Sequence, residues 1–414
     1  MKFIDITRNK VYKNIHFKNF KDFFVGGIIA ILVGYLGNYL INKSLSKEDL
    51  GLFSYYFNIM TLLSGVFSLG VYHAYLRFNN KEKLRFSLKN IVLKFSILSS
   101  IALFFISYLI FQNIYISVFS FFILFNERIY LFRSVKKILK MNVLKCISSI
   151  ILMLSLICFV NFSKLTFDKA LFSYGVGYFV VFVLGLLIDK KSEKFNNIKN
   201  ANEFNLKSIL EYTTPIALST MLTWILAVSD QIILKEFVSF SDLGNYAIGY
   251  RVIVVIKIFT SLFLLYYPIL YFEEADKNRF NAINKIRFLF IVMLVFVTVV
   301  LVLFRRYIYI LMGADQYLDF THIFSLLVVA ELLRIISGFF LTFRAYTLQT
   351  WYTMIIVGMS AVISIILNLI FIPSFGIISA AYIQVAVSII YLIATYFLAI
   401  KPEKKFFKNE IKYN

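Results

Sequence analysis

"KEDLGLFSYYF" (Lys47–Phe57) and "SDLGNYAIGYR" (Ser241–Arg251) share a pattern about half a chain apart. Asp49-Leu50-Gly51 matches Asp242-Leu243-Gly244, and Phe53 answers Tyr246 at the same offset. Both stretches follow an apolar run. An acidic residue suits the positive end of a helix, and glycine lets a backbone turn tightly and pack closely. Each stretch therefore reads as a turn that opens a helix, and the repeat suggests a chain built from two like halves.

Hydropathy supplies the frame for those halves. The 414 residues are 60% hydrophobic and only 16% charged, with a mean hydropathy of +0.80. Soluble domains carry under half apolar residues and about a quarter charged, so this is an all-α integral membrane protein. A helix crossing the bilayer needs about 20 apolar residues. Stretches of that kind lie at Phe23–Ile41, Gly51–Leu76, Ile91–Phe111, Tyr115–Val135, Val143–Phe162 and Ala170–Ile188. A second set lies at Ile209–Leu234, Leu243–Tyr271, Ile286–Phe304, Phe320–Phe343, Trp351–Ile372 and Ile377–Ile400. Asn126, Glu127 and Arg128 interrupt the fourth, and Pro373-Ser374-Phe375-Gly376 splits the last two. About twenty polar and basic residues precede the first span without a cleavable signal pattern, so that span is expected to be its own insertion signal.

Charge then orients the spans. Lys and Arg number about 32 in the N-terminus, Arg77–Lys94, Arg133–Lys145, Lys190–Lys207, Lys277–Arg287, Arg344 and the C-terminus. The alternate segments hold about 7. Positive-inside bias predicts both termini in the cytoplasm. The expected organisation is a basic amphipathic N-terminus (1–22), an N-lobe of six spans (23–189), a cytoplasmic linker (190–208), a C-lobe of six spans (209–400) and a basic cytoplasmic tail (401–414). Six is even, so the two six-helix lobes run parallel. That explains the repeat, because each copy ends the first outer loop of its half. Parallel repeats about an axis along the membrane normal are a transporter architecture, with substrate handled between the halves.

Several function classes drop out. The net charge of +21 invites a nucleic-acid partner, but the cations sit in short segments between spans, as topology requires. Cys146 and Cys158 lie in one apolar run, roughly 18 Å apart along a helix, too far for a disulfide. His16, His73 and His322 have no metal-ligand spacing. No Walker-type loop occurs, and neither a cofactor nor a metal is expected. A multispan polymerase or glycosyltransferase would need a large outer segment to build its site. Every outer segment is short, and the repeat accounts for Asp49 beside Glu48 without chemistry.

Four stretches carry a family resemblance: "EDLGLFSYYFNIMTLLSGVFSLGVYHAYLR" (Glu48–Arg77), "TPIALSTMLTWILAVSDQIILKEFVSFSDLGNYAIGYR" (Thr214–Arg251), "ILMGADQYLDF" (Ile310–Phe320) and "ILNLIFIPSFGIISAAYIQ" (Ile366–Gln384). In that order, over twelve spans, the chain resembles the multidrug/oligosaccharidyl-lipid/polysaccharide (MOP) exporter superfamily, and within it the Wzx-type polysaccharide flippases. The resemblance implies two six-helix lobes in a MATE-like V. It also implies a lipid-linked oligosaccharide on an undecaprenyl pyrophosphate carrier, moved from the inner to the outer leaflet of the bacterial inner membrane for O-antigen or capsule synthesis. Membrane lipids, a coupling H⁺ or Na⁺, and polysaccharide polymerase or assembly proteins are the partners it brings with it. Drug/cation antiporters and lipid II flippases share the fold and are the alternatives.

Ionisable groups at membrane depth are costly and mark candidate sites. Arg251, about eight residues into the eighth span, occupies a position where lipid-linked-sugar members of the superfamily carry a basic residue. A guanidinium suits a pyrophosphate; the alternative is a bracing Arg. Lys257 and Tyr250 are further candidates for the substrate cavity. Glu331 and Arg334, three residues apart, share a helix face. They form either an internal ion pair, or a substrate cation beside a coupling carboxylate. Asp230 is expected to cap, to pair with a cation or to bind a coupling cation. Glu127 and Arg128 are adjacent, so they face different directions and are not a helix-face pair; one of them is expected to face the interior, and both are candidates for a coupling or ion-pair role. Pro215 removes a helical hydrogen bond and is a candidate hinge. The mild excess of intramembrane cations favours an anionic substrate. Export of such a headgroup runs downhill by about 2.3 kcal/mol per charge per 100 mV.

Overall fold

Long apolar runs leave the backbone one way to satisfy its polar groups in lipid, the helix, and every regular element among the described residues is helical. The computed structural model describes residues 29, 32–78, 85–135, 137–190, 206–253, 256, 267–268, 270–347 and 349–413. In chain order the helices are α1 (residues 32–44), α2 (Lys47–Ser68), α3 (Ala74–Phe78), α4 (Arg85–Phe111), α5 (Phe122–Ser134), α6 (Ile138–Phe162) and α7 (Phe167–Lys190). They continue as α8 (Leu206–Phe237), α9 (Phe240–Val252), α10 (Phe280–Leu303), α11 (Arg305–Leu311), α12 (Thr321–Tyr346), α13 (Trp351–Thr395) and α14 (Lys401–Tyr413). Among the described residues nine helical stretches are long and apolar enough to cross a membrane. Large apolar side chains point outward along them, including Phe288, Phe296 and Leu303 on α10, as a lipid solvent allows.

The nine stretches and the expected spans differ for three reasons. The first expected span lies partly outside the described residues, which cover residue 29 and residues 32–41 of it. In the eighth, α9 is described to Val252, and most of the expected span beyond Ile253 lies outside the described residues. The eleventh and twelfth fall in one long stretch, broken where expected. Gly376 adopts φ 60° and ψ −145°, so α13 is two helices meeting there. A positive φ is open to glycine and costly for a residue with a Cβ.

The chain divides into two units. The first comprises residues 1–44 and 56–218, and the second comprises residues 45–55 and 219–414. The first unit is tied by a buried polar network at one end of its helices. Lys89 Nζ of α4 lies 2.6 Å from Asp189 Oδ2 at the end of α7. In the second unit Arg287 Nη2 of α10 lies 2.6 Å from Glu403 Oε1 of α14. The tyrosines repeat as well: Tyr75 donates to Glu127 at 2.5 Å, and Tyr271 donates to Glu403 at 2.6 Å. Each unit thus joins the start of a long helix, α4 or α10, to a later helix, α7 or α14, with a cation–carboxylate pair. The residues after 400, expected as a basic tail, form α14 in the structure. Buried Glu403 and Phe407 hold it, the latter stacked on Phe280 at 4.9 Å.

The opening repeat is also a structural one. Ser46 and Ser239, three residues before the aspartates, cap α2 and α9 identically. Asp49 N and Asp242 N each donate to the serine Oγ at 3.1 Å, and the hydroxyls donate back to the carboxylates at 2.8 and 2.7 Å. Both copies belong to the second unit, and they pack against each other. A methyl on Gly51 would sit 2.0 Å from the Phe240 carbonyl oxygen, and one on Gly244 would sit 2.0 Å from that of Lys47. Phe240 and Lys47 each precede the facing copy's glycine by four residues, so the contact is reciprocal. Small residues permit this approach of helix backbones.

Candidate functional site

The second unit gathers polar side chains from four helices around Asp230. α8 carries Asp230 and buries it completely. Tyr246 and Tyr250, four residues apart on α9, share a face and reach the same carboxylate. Their hydroxyls donate to Oδ2 at 2.5 and 2.8 Å. Gln384, buried in α13, donates its Nε2 to that same Oδ2 at 2.8 Å. The Gln231 backbone N–H donates to Oδ1 at 2.7 Å. Asp230 therefore neither caps a helix nor pairs with a cation among the described residues, and its partners are neutral donors. Desolvating a carboxylate this fully demands such partners, and the tyrosines and glutamine supply them.

α12 adds the charged edge of the cluster. Arg334 Nη1 donates to Gln384 Oε1 at 3.1 Å, and Nη2 lies 3.4 Å from Glu331 Oε2. The internal ion pair expected from their spacing forms, with both side chains partly exposed. Arg334 Nε is buried without a partner. Glu331, Arg334, Gln384, Asp230, Tyr246 and Tyr250 thus form one connected set. Next to Tyr250, in the last turn of α9, the Arg251 guanidinium lies 4.9 Å over the Phe53 ring, where a cation meets the negative aromatic face. Lys257 lies outside the described residues.

Glu127 and Arg128 both face the interior, where one of them was expected to, and they form an ion pair. Both are fully buried in the first unit and bonded to each other through two contacts, Nη2 to Oε1 at 2.6 Å and Nε to Oε2. Adjacent helix positions diverge by about 100°, but two long side chains can bend back, and an unpaired charge at this depth is far costlier than the bend. Arg128 Nη1 also reaches Asp189 Oδ2 at 3.2 Å. With Lys89 this network contains two carboxylates and two cations, so Arg128 adds no net charge for a substrate. Pro215 is exposed within α8, which runs unbroken through it.

Sequence reasoning missed Gln384, Asp189, Lys89, Arg287 and Glu403. A lone amide within "SAAYIQVAVSII" was the available signal for Gln384. Lys89 and Arg287 were counted only as topology charges, and Asp189 and Glu403 were not singled out.

The geometry can be set beside known proteins. A family model described as polysaccharide biosynthesis protein matches residues 17–271. Among solved structures, the lipid II flippase MurJ in an inward closed conformation aligns with a TM-score of 0.70 at 16% identity, covering 91% of this chain and 86% of that one. An inward-facing multidrug resistance MATE family transporter of the MOP superfamily gives 0.68 at 12% identity, covering 89% and 94%. A MOP superfamily transporter from Pyrococcus furiosus, whose binding pocket is described as having reverse polarity, gives 0.67 at 11% identity, covering 93% and 94%. No curated protein sequence matches the chain significantly. The fold is that of MurJ and the MATE transporters, in a multi-pass membrane protein.

Proposed function

The chain belongs to the polysaccharide biosynthesis protein family, and on that footing we propose that it flips a polyprenyl-pyrophosphate-linked oligosaccharide. Movement is from the cytoplasmic to the outer leaflet of a bacterial inner membrane by alternating access, for surface polysaccharide assembly. Family and fold match transporters and flippases, and the protein works without bond chemistry of its own. The observation that carries the reading is the cluster of the second unit. There a family member with a flippase-like fold places Arg334, with an unused N–H, beside a buried carboxylate. Arg334 and Arg251 serve the pyrophosphate, since a guanidinium can offer paired hydrogen bonds to phosphate oxygens. Asp230, held by neutral donors only, serves a coupling proton or sodium ion. Glu127 and Arg128 hold the first unit together, and Pro215 lets α8 bend.

Asp230 also favours a second reading, export of an organic cation, because a buried carboxylate with tyrosine partners suits a positive group. Reconstitution in liposomes separates the two. A polyprenyl-pyrophosphate oligosaccharide should reach the opposite leaflet, Arg251→Ala should slow it, and Arg251→Lys should slow it less. Movement of an organic cation with none of the lipid-linked sugar would overturn the flippase reading. Full activity in Arg251→Ala would remove that residue from the site.

A further inference from the structure

Three donors converge on a single oxygen of Asp230, its Oδ2: Tyr246, Tyr250 and Gln384. Gln384 is fully buried and commits its other amide atom, Oε1, to Arg334. A carboxylate only accepts and a guanidinium only donates. The amide must therefore turn its NH₂ to Asp230 and its oxygen to Arg334. One side chain serves two charged groups, and only one of its two orientations serves both.

We propose that Gln384 couples a cation site at Asp230 to an anion site at Arg334, so that the two occupants exclude one another. The inference rests on the flippase reading and says how its driving ion is linked to its substrate. A proton arriving on Asp230 Oδ2 turns an acceptor into a donor. The tyrosine hydroxyls can rotate and accept from it, but an amide NH₂ cannot. A protonated Oδ2 has less acceptor capacity for its three donors, and Gln384 bonds the new O–H by rotating about half a turn, which brings Oε1 to that O–H and its NH₂ to Arg334. Donor then faces donor, and Arg334 loses its anchor at Nη1. A sodium ion on Oδ2 makes the same demand, because the amide oxygen can ligate it and the NH₂ cannot.

The anchor matters because of what the rest of the guanidinium is doing. Among the described residues Nη2 makes only the 3.4 Å contact to Glu331, and Nε is buried without a partner. The Nε–Nη2 edge is the one a phosphate would take, displacing the long Glu331 contact, while Gln384 holds the fork in place from Nη1. Losing that hold releases the phosphate. Mutual exclusion of an inward cation and an outward anion is what exchange across a membrane requires, and the linkage is reciprocal. Among the described residues the groups facing Asp230 are Tyr246 and Tyr250 from α9 and Gln384 from α13, with Arg334 and Glu331 of α12 behind Gln384.

The test uses the purified full-length protein and farnesyl pyrophosphate as probe, its binding measured between about pH 5 and 8. The probe's own titration is common to all variants. On acidification the wild type should lose about tenfold more affinity than Gln384→Met, the worth of one hydrogen bond to a charged group. Gln384→Met should bind weakly at every pH. Gln384→Glu retains an acceptor for Arg334 and must share a proton with Asp230, so it should keep a pH dependence and shows that position 384 tolerates change. Replacing choline with sodium at the alkaline end should weaken probe binding in the wild type alone. Parallel pH curves for the wild type and Gln384→Met overturn the inference. So does tighter wild-type binding in acid, which would mean that charge loss at Asp230 governs directly. A wild type indifferent to both acid and sodium overturns it too. If the coupling is found in a protein that moves no lipid-linked oligosaccharide in liposomes, the flippase reading fails and the role of Gln384 stands.

Discussion

Gly51→Ala is a one-carbon change with a calculable result. The added methyl would lie 2.0 Å from the Phe240 carbonyl oxygen, whereas carbon–oxygen contacts between packed helices settle near 3.3–3.6 Å. The shortfall of about 1.3 Å falls on backbone, which cannot swing aside as a side-chain tip can. The α2 and α9 backbones must separate, and overpacking of this kind costs about 1–3 kcal/mol. Against it stands the gain of about 1 kcal/mol for Ala over Gly inside a helix. The net is a loss of about 0–2 kcal/mol. Gly65 provides the control, because it lies in the same helix with nothing within 4 Å of an added methyl. Gly65→Ala should therefore keep the full gain, and the two variants should differ by about 1–3 kcal/mol. At about 2–4 °C per kcal/mol for a unit of this size, thermal unfolding in detergent resolves them. Gly244→Ala meets the Lys47 carbonyl across the same seam, so Gly51→Ala/Gly244→Ala should cost little more than either change alone, the non-additivity expected of neighbours. Equal melting temperatures for Gly51→Ala and Gly65→Ala would refute the close crossing.

The buried ties between helices predict larger effects. Glu403→Ala leaves Arg287 buried and unpaired and should cost about 3–5 kcal/mol in thermal unfolding, while Arg287→Met/Glu403→Met should recover much of it. Glu127→Ala should be similarly severe, by about 3–5 kcal/mol, because Tyr75 loses its acceptor and buried Arg128 keeps only the 3.2 Å contact to Asp189 among the described residues. Asp189→Asn should be milder in the same melt, since Asp189 is partly exposed and Arg128 retains Glu127. Pro215→Ala restores a helical hydrogen bond, so it should raise the melting temperature and slow flipping if α8 bends there. Undiminished flipping would remove the hinge.

What could be read from the residues follows from local rules. Lipid solvent forces apolar runs into helices, so a one-dimensional hydropathy pattern reveals the class, most span positions and the break at Gly376. The Asp49/Asp242 repeat was legible because capping is a local interaction, completed within three residues by Ser46 and Ser239. The spacing of Glu331 and Arg334 predicted their ion pair for the same reason.

Partners distant in the chain obey no such rule. Asp230 could be recognised as a costly buried carboxylate, but whether a cation or neutral groups would satisfy it depended on Gln384, 154 residues away, and on how α13 packs. Adjacency argued against Glu127 and Arg128 as a helix-face pair, but the depth of their burial left each charge no better neighbour. Arg287 read as a topology charge and Glu403 drew no reading, because only the packing of α14 brings them together. The sequence by itself determined which segments cross lipid and that they repeat. The tertiary structure alone decided which buried charges meet, because that choice is made by desolvation and close contact and leaves no periodic trace in the chain.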